Sequence, residues 1–225
     1  MAGYNLTASD ITDAYHSEDE LWSAINPVFQ TKSRNSTSYK YCFLKAILDN
    51  IFNVNADLVL PFYVVFERFT EIYWNLIIKF RLAQMPGRKL TAAETLIQRC
   101  AAKYQLCPET SFDALRADVK LELCAAVTRE CSRFVVGALC EDTGKIFYGF
   151  AKETRTIKFN PSAYSFLCKF SYVLTKLNYF EWVKYLEKVN TAASSLDLAS
   201  KLDVSTKREN LSFYSDFLLD RKSVV

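Results

Sequence analysis

Seven cysteines and a single histidine are the side chains with the widest chemical reach in this chain, and their spacing withholds the usual chemistries. His16 stands alone, and Cys42, Cys100, Cys107, Cys124, Cys131, Cys140 and Cys168 never form a Cys-x-x-Cys pair. Structural zinc needs a closed set of such ligands, a cysteine nucleophile needs its histidine, and a Ser-His-Asp triad needs a histidine oriented by an acid. The sequence therefore displays no complete active site. Cys100 with Cys107, and Cys124 with Cys131, are seven apart, which on a helix gives one face but a separation of about two turns, too far for a shared metal. They read as core residues, and His16, in an acidic segment, as an exposed polar one.

Carboxylates offer two further arrangements. Glu67 and Glu71 lie one helical turn apart and could hold a cation or work as an acid pair, but Arg68 and Lys79 beside them favour a solvated helix edge. A metal-dependent nuclease of the restriction type needs an acid fixed near a Glu-x-Lys pair. Here Asp142 with Lys152 and Glu153 is the nearest approach, and it is the weakest of the functional alternatives.

The basic residues are more suggestive. Lys32, Arg34, Ser38, Tyr39, Lys40 and Lys45 combine cations, hydroxyls and an expected helix N-terminus, all suited to phosphate oxygens. Lys79, Arg81, Arg88 and Lys89 form a second cluster, and Lys201, Lys207 and Arg208 a third; an ordinary solvated surface would look the same. The charge is unevenly spread. Residues 1–30 carry acids and no Lys or Arg, and the next stretch carries Lys32, Arg34, Lys40 and Lys45 without an acid, within a net charge of +3.

These residues must be positioned by helices. The chain has 225 residues, half of them apolar, with seventeen Phe, thirteen Tyr and only five each of Gly and Pro. A sizeable core and few chain breaks follow, so the expected fold is mainly α, a multi-helix globular domain with one small β-hairpin. Helical spacing is expected within Asp10–Phe29, then over Thr37–Asn53, Leu58–Phe80, Thr91–Tyr104, Phe112–Leu139, Asn160–Leu177, Phe180–Val189, Leu196–Leu202 and Thr206–Leu219. In the third of these Phe62, Phe66, Phe69, Tyr73, Leu76 and Phe80 share a face. Glu67, Arg68 and Glu71 in its middle argue for an amphipathic helix and against a membrane span. Phe112, Leu115, Val119, Leu123, Val127, Cys131 and Phe134 line one side of the long helix. Asp142-Thr143-Gly144 is a turn, and Lys145–Phe150 with Thr154–Phe159 reads as the hairpin. The organisation expected is an acidic helical segment over 1–30, a helical core over 31–140, the hairpin and its helices over 141–190, and C-terminal helices over 191–225.

The N-terminus lacks the basic and apolar succession of a signal peptide, and seven unpatterned cysteines do not make a disulfide framework, so a reducing cytoplasm is the expected home.

Several phrases in order along the chain resemble the N-terminal region of a bacterial family of HNH-type endonucleases. They are Thr37-Ser38-Tyr39-Lys40 running into Phe43-Leu44-Lys45-Ala46-Ile47-Leu48-Asp49-Asn50, then Phe66-Glu67-Arg68-Phe69 with Glu71-Ile72-Tyr73-Trp74-Asn75-Leu76. Leu177-Asn178-Tyr179-Phe180-Glu181-Trp182, Leu186-Glu187-Lys188-Val189-Asn190 and Lys207-Arg208-Glu209-Asn210-Leu211-Ser212 continue it. The resemblance implies a helical region preceding a zinc-stabilised HNH module that would begin after the Lys207–Leu219 segment. No catalytic residue is carried over, and zinc or magnesium would enter only with such a module. The expected function is a non-catalytic module that docks DNA or a nucleoprotein complex and positions a nuclease supplied in cis or in trans. Its expected contacts are Lys32, Arg34, Ser38, Tyr39, Lys40 and Lys45, with Arg88, Lys89, Lys207 and Arg208 secondary. The alternative is a protein–protein adaptor, or a homo-oligomer, in a bacterial defence or mobile-element system.

Overall fold

The computed structural model describes residues 8–30, 36–87, 89–193 and 195–206. Seven helices and a small antiparallel sheet account for most of them: β1 (Ala8–Ser9), α1 (Glu18–Phe29), α2 (Tyr39–Asp49), β2 (Val59–Pro61), α3 (Phe62–Trp74), α4 (Ala92–Lys103), α5 (Ala117–Asp142), β3 (Tyr148–Ala151), β4 (Thr156–Phe159), α6 (Pro161–Val189) and α7 (Ser195–Thr206). The mainly α architecture follows from the composition. No described helix is long and apolar enough to cross a membrane.

Local chemistry sets several boundaries. Ser17 and Glu20 close a capping box at the start of α1, and Thr91 with Glu94 closes another at α4, each satisfying amide groups that the first helical turn leaves free. Asn160 caps α6 by accepting from the Ala163 amide at 3.1 Å, with Pro161 at the first helical position. Its Nδ2 also donates to the carbonyls of Thr12 and Ala14, both at 2.8 Å, fastening the N-terminal segment to the same helix start.

The sheet is larger than the expected hairpin. β3 and β4 pair in register Tyr148 with Phe159 and Phe150 with Ile157, and β1 and β2 add an edge on either side, giving the order β1-β3-β4-β2. The expected Leu58–Phe80 helix therefore starts late. Val59–Pro61 is an edge strand on β4, where Pro61 loses no ladder bond it must donate inward, and α3 begins at Phe62. Tyr148, Phe150, Ile157 and Phe159 face the helices and are buried. On the other side of β3 the chain after Ser9 crosses directly over Gly149, where a Cβ would lie 2.3 Å from the Ser9 carbonyl oxygen.

The core is built around α3. Its Phe62, Phe66, Phe69 and Tyr73 are fully buried as the spacing predicts, with Phe69 and Tyr73 stacked at 4.7 Å between centroids. α3 packs on α2 and α5, α2 on α6, and α6 on α7. After Trp74 the helix widens into a π-turn over Asn75–Lys79. The α5 stripe drifts from the expected heptad, since Val135 and Leu139 are buried while Phe134 is exposed; a straight helix of 3.6 residues per turn moves off a seven-residue repeat. α5 begins at Ala117, although Phe112 and Leu115 ahead of it are buried as expected. Helices expected separately over Asn160–Leu177 and Phe180–Val189 are one continuous α6. The Thr206–Leu219 helix lies outside the described residues apart from Thr206, which ends α7.

Of the paired cysteines only Cys131 is fully buried. Cys100 and Cys124 are half-buried and Cys107 is exposed on the connection after α4, where the helix that would have placed it on the core face has ended. His16 is half-buried, its amide donating to Ser162 Oγ at 3.3 Å.

Candidate nucleic-acid interface

Lys32, Arg34, Arg88, Lys207 and Arg208 lie outside the described residues. Of the remaining expected phosphate contacts, Ser38, Tyr39, Lys40 and Lys45 are turned to structural use. Ser38 is 0% exposed, its hydroxyl 2.5 Å from Tyr73 OH and 2.7 Å from Gln84 Oε1, and Tyr39 is buried with its hydroxyl accepting from the Ala93 amide at 2.8 Å. Ser38 does not reach solvent, and Tyr39 keeps only 7% of its surface exposed. Burial pushes the Tyr39 and Tyr73 hydroxyls far above their ordinary range. Lys40 pairs with Asp142, and Lys45 with Asp49 one turn along α2. Lys89 is exposed.

Asp142, Lys152 and Glu153 are not brought together. Asp142 sits at the end of α5 ahead of β3, and Lys152 and Glu153 lie in the turn beyond its far end, so a four-residue strand of roughly 13 Å separates them. Burial and the nearby Arg133 guanidinium lower the Lys152 pKa. Glu67 is exposed, but Arg68 is not the solvated edge residue its neighbours suggested. It is 4% exposed, with Nε 2.8 Å from Asp49 Oδ2 and Nη1 2.8 Å from Glu71 Oε2. Burial opposes its charge, and Asp49 and Glu71 outweigh that, leaving its pKa raised.

A different surface alternates cations with aromatic rings. Lys169, Tyr172, Lys176, Phe180 and Lys184 recur at steps of three or four along α6 and so share one face, over about 22 Å of helix. Tyr172 is 72% and Phe180 58% exposed, with Val173 exposed beside them. Each ring carries an ammonium: Lys176 lies 5.5 Å from the Tyr172 centroid and Lys184 5.0 Å from that of Phe180. Lys169 also pairs with Glu18, an exposed pair of a kind worth only about 0–1 kcal/mol, and half-buried Lys184 pairs with Glu181 at 3.0 Å.

No protein-family model, curated protein or solved structure matches the chain.

Beside this face, α6, α7 and Lys45 of α2 line an open cavity of about 260 Å³ whose other lining residues include Lys176, Asn178, Tyr179, Trp182, Asp203 and Thr206. Arg68 ties two of the lining residues together from behind: it holds Asp49, which holds Lys45, and its Nη2 donates to the Thr206 carbonyl at 2.6 Å. Asn178 and Trp182 are buried, and Asn178 Oδ1 and Trp182 Nε1 have no hydrogen-bond partner among the described residues. Neither the face nor the cavity was expected from the sequence. The signal for the face was the spacing of Lys169, Tyr172, Lys176, Phe180 and Lys184, legible once Asn160–Val189 is taken as one helix.

Among the described residues no group of three or more His, Cys, Asp or Glu side chains could hold a metal ion.

Proposed function

We propose that this chain is a non-catalytic module that docks a nucleic-acid strand along the exposed face of α6 and positions cutting chemistry supplied by another domain or chain. The observation that carries the reading is the alternation of Lys169, Tyr172, Lys176, Phe180 and Lys184 on one solvent-facing helix side. Non-sequence-specific single-strand binders combine cations that follow the backbone with rings on which bases stack, each stacked base contributing about 1–3 kcal/mol. An unpaired strand suits this face better than a duplex, whose bases are stacked on one another. The ordered resemblance to the helical region of HNH-type endonucleases supports a role beside a nuclease.

Fluorescence anisotropy of a labelled single-stranded oligonucleotide, in DNA and RNA forms and against a duplex, tests this across a salt series. Affinity is expected to fall linearly on a logarithmic scale with salt, and Lys176→Ala to flatten that slope by about 0.7. Tyr172→Ala/Phe180→Ala is expected to weaken binding at every salt concentration with little change in slope. Absence of binding at the lowest salt, or variants that bind as the wild type does, would remove the reading.

A second reading, a protein-directed adaptor, draws on the exposure of Val173 among the same rings. It predicts that the double aromatic variant changes self-association in sedimentation while oligonucleotides do not bind.

A further inference from the structure

We propose that the open cavity between the π-turn after α3 and helix α4 binds a small aliphatic carboxylate, its head on Arg81 and its tail along Ile78, Leu90, Leu106 and Pro108. No residue of α6 lines it, so strand docking and this site stand or fall separately.

The backbone sets the partner for the head group in place. The π-turn Asn75–Lys79 leads into a helix end in which the Leu82 amide reaches back to the Leu76 carbonyl at 2.9 Å. Arg81 there is left-handed, at φ 52°, where glycine is the usual occupant because it has no Cβ to clash. π-turns and non-glycine residues in this conformation both recur at functional sites. The Arg81 side chain is exposed, lines the cavity, and makes no hydrogen bond or ion pair among the described residues. Its charge nevertheless reaches Glu109, whose carboxyl is held below its ordinary range by the Cys107 thiol first and by Arg81 more weakly. Glu109 follows Pro108, a lining residue, so the field of the guanidinium extends across the rim that this connection forms.

The lining selects its ligand by charge and by polarity. Glu94 is buried and commits both oxygens to backbone amides, accepting from Gln84 at 3.1 Å and from Thr91 at 2.6 Å. Arg81 is thus the uncommitted charge of the lining, and a single guanidinium balances a single negative charge. Its fork of N–H groups matches the two oxygens of a carboxylate. Gln98 on α4 is the other exposed polar side chain of the lining, and its amide can donate to a carboxylate oxygen. The walls are aliphatic. Leu90 is 52% exposed, Ile78 and Leu106 are half-buried and Pro108 is exposed, so all four keep surface that a tail would cover. None of the lining residues is aromatic, which favours an alkyl chain over a flat ring. A volume of about 430 Å³ falls within the range of small-molecule sites.

Titration of the full chain with octanoate, at fixed ionic strength and below micelle formation, tests this by calorimetry and by methyl NMR. Saturable binding is expected, with the Ile78 and Leu90 methyl resonances shifting at the calorimetric affinity. Octanol, which has the tail without the charge, and acetate, which has the head without the tail, are each expected to bind at least about tenfold more weakly. Arg81→Gly suits the left-handed backbone, so it is expected to hold the melting temperature while weakening octanoate binding by about tenfold or more. Arg81→Asn, which also tolerates that conformation, is expected to do the same. The absence of a saturable response in heat and in methyl shift overturns the site. So does octanol that binds as tightly as octanoate, or a pair of Arg81 variants that bind as the wild type does. Octanoate that moves resonances of α6 while leaving Ile78 and Leu90 in place overturns it as well, and octyl sulfate that binds more tightly than octanoate overturns the choice of a carboxylate.

Discussion

Arg68, in the middle of α3, donates through Nη2 to the main-chain carbonyl of Thr206 at 2.6 Å, across 138 residues of sequence. The same guanidinium holds Asp49 on α2 and Glu71 on α3, so one buried cation ties three helices and caps the carbonyl end of α7. Removing it takes from Glu71 its cation and leaves Asp49 with Lys45 alone. Arg68→Ala is expected to destabilise the fold by about 3–5 kcal/mol in urea unfolding, because breaking a buried pair leaves uncompensated charge. Arg68→Met, which keeps the stem's packing, is expected to lose somewhat less. A loss below about 1 kcal/mol would mean that Asp49 and Glu71 find water in its place.

Asn160 has two duties that can be separated. Asn160→Asp keeps the cap oxygen but loses the Nδ2 donor that reaches Thr12 and Ala14, whereas Asn160→Ala loses both. The alanine variant is expected to cost the cap's typical ~1 kcal/mol beyond whatever the aspartate variant costs. Thermal melts of the two, with protease sensitivity of residues 10–16 as the local readout, check this; equal melting temperatures would show that the cap contributes nothing here.

Gly149→Ala is expected to dislodge the N-terminal strand. Its Cβ would fall 2.3 Å from the Ser9 carbonyl oxygen and 2.9 Å from the Ile11 nitrogen, both backbone atoms that cannot rotate away. The expected cost is about 1–3 kcal/mol, with hydrogen exchange of the β3 amides that face β1 accelerated relative to the wild type. Unchanged exchange there would show that the crossing segment accommodates a methyl group.

The thiols make the fold sensitive to alkali. Burial pushes Cys124 and Cys131 up to about 12, and raises Cys42 as well. A folded pKa above the unfolded value means stability that is complete below about 8.5 and is lost as pH rises toward the folded value. The melting temperature is therefore expected to fall between pH ~9 and ~12, with buried Tyr39, Tyr73 and Tyr148 adding to the fall above ~10. Cys131→Ala should make the fall shallower. At neutral pH a thiol reagent is expected to modify exposed Cys107 first and to reach Cys42 and Cys131 only on unfolding, which mass spectrometry of partially labelled protein resolves.

Exposure predicts that the α6 face can be altered without harm to the fold. Tyr172→Ala and Phe180→Ala are each expected to shift stability by no more than about 0.5 kcal/mol, which separates any loss of strand binding from unfolding.

What the sequence determined by itself was local. The apolar spacing of Phe62, Phe66, Phe69 and Tyr73, the Asn160-Pro161 start of α6 and the Asp142-Thr143-Gly144 turn before the hairpin act within a few residues, and each has its place in the fold. The tertiary structure decided everything that depends on a distant partner. Ser38 looked like a surface hydroxyl beside lysines until Tyr73 and Gln84 closed over it, and Arg68 looked like a solvated charge until Asp49, Glu71 and Thr206 surrounded it. β1 and β2 are too short to be seen alone, since two or three residues hold an extended form only when a neighbouring strand pairs with them. Asn178 and Trp182 gave no signal because an unpaired donor or acceptor is defined by what packs around it. A helix carries its own hydrogen bonds and so its own evidence in the sequence; a buried polar contact borrows its partner from elsewhere in the chain, and only folding reveals which residue that is.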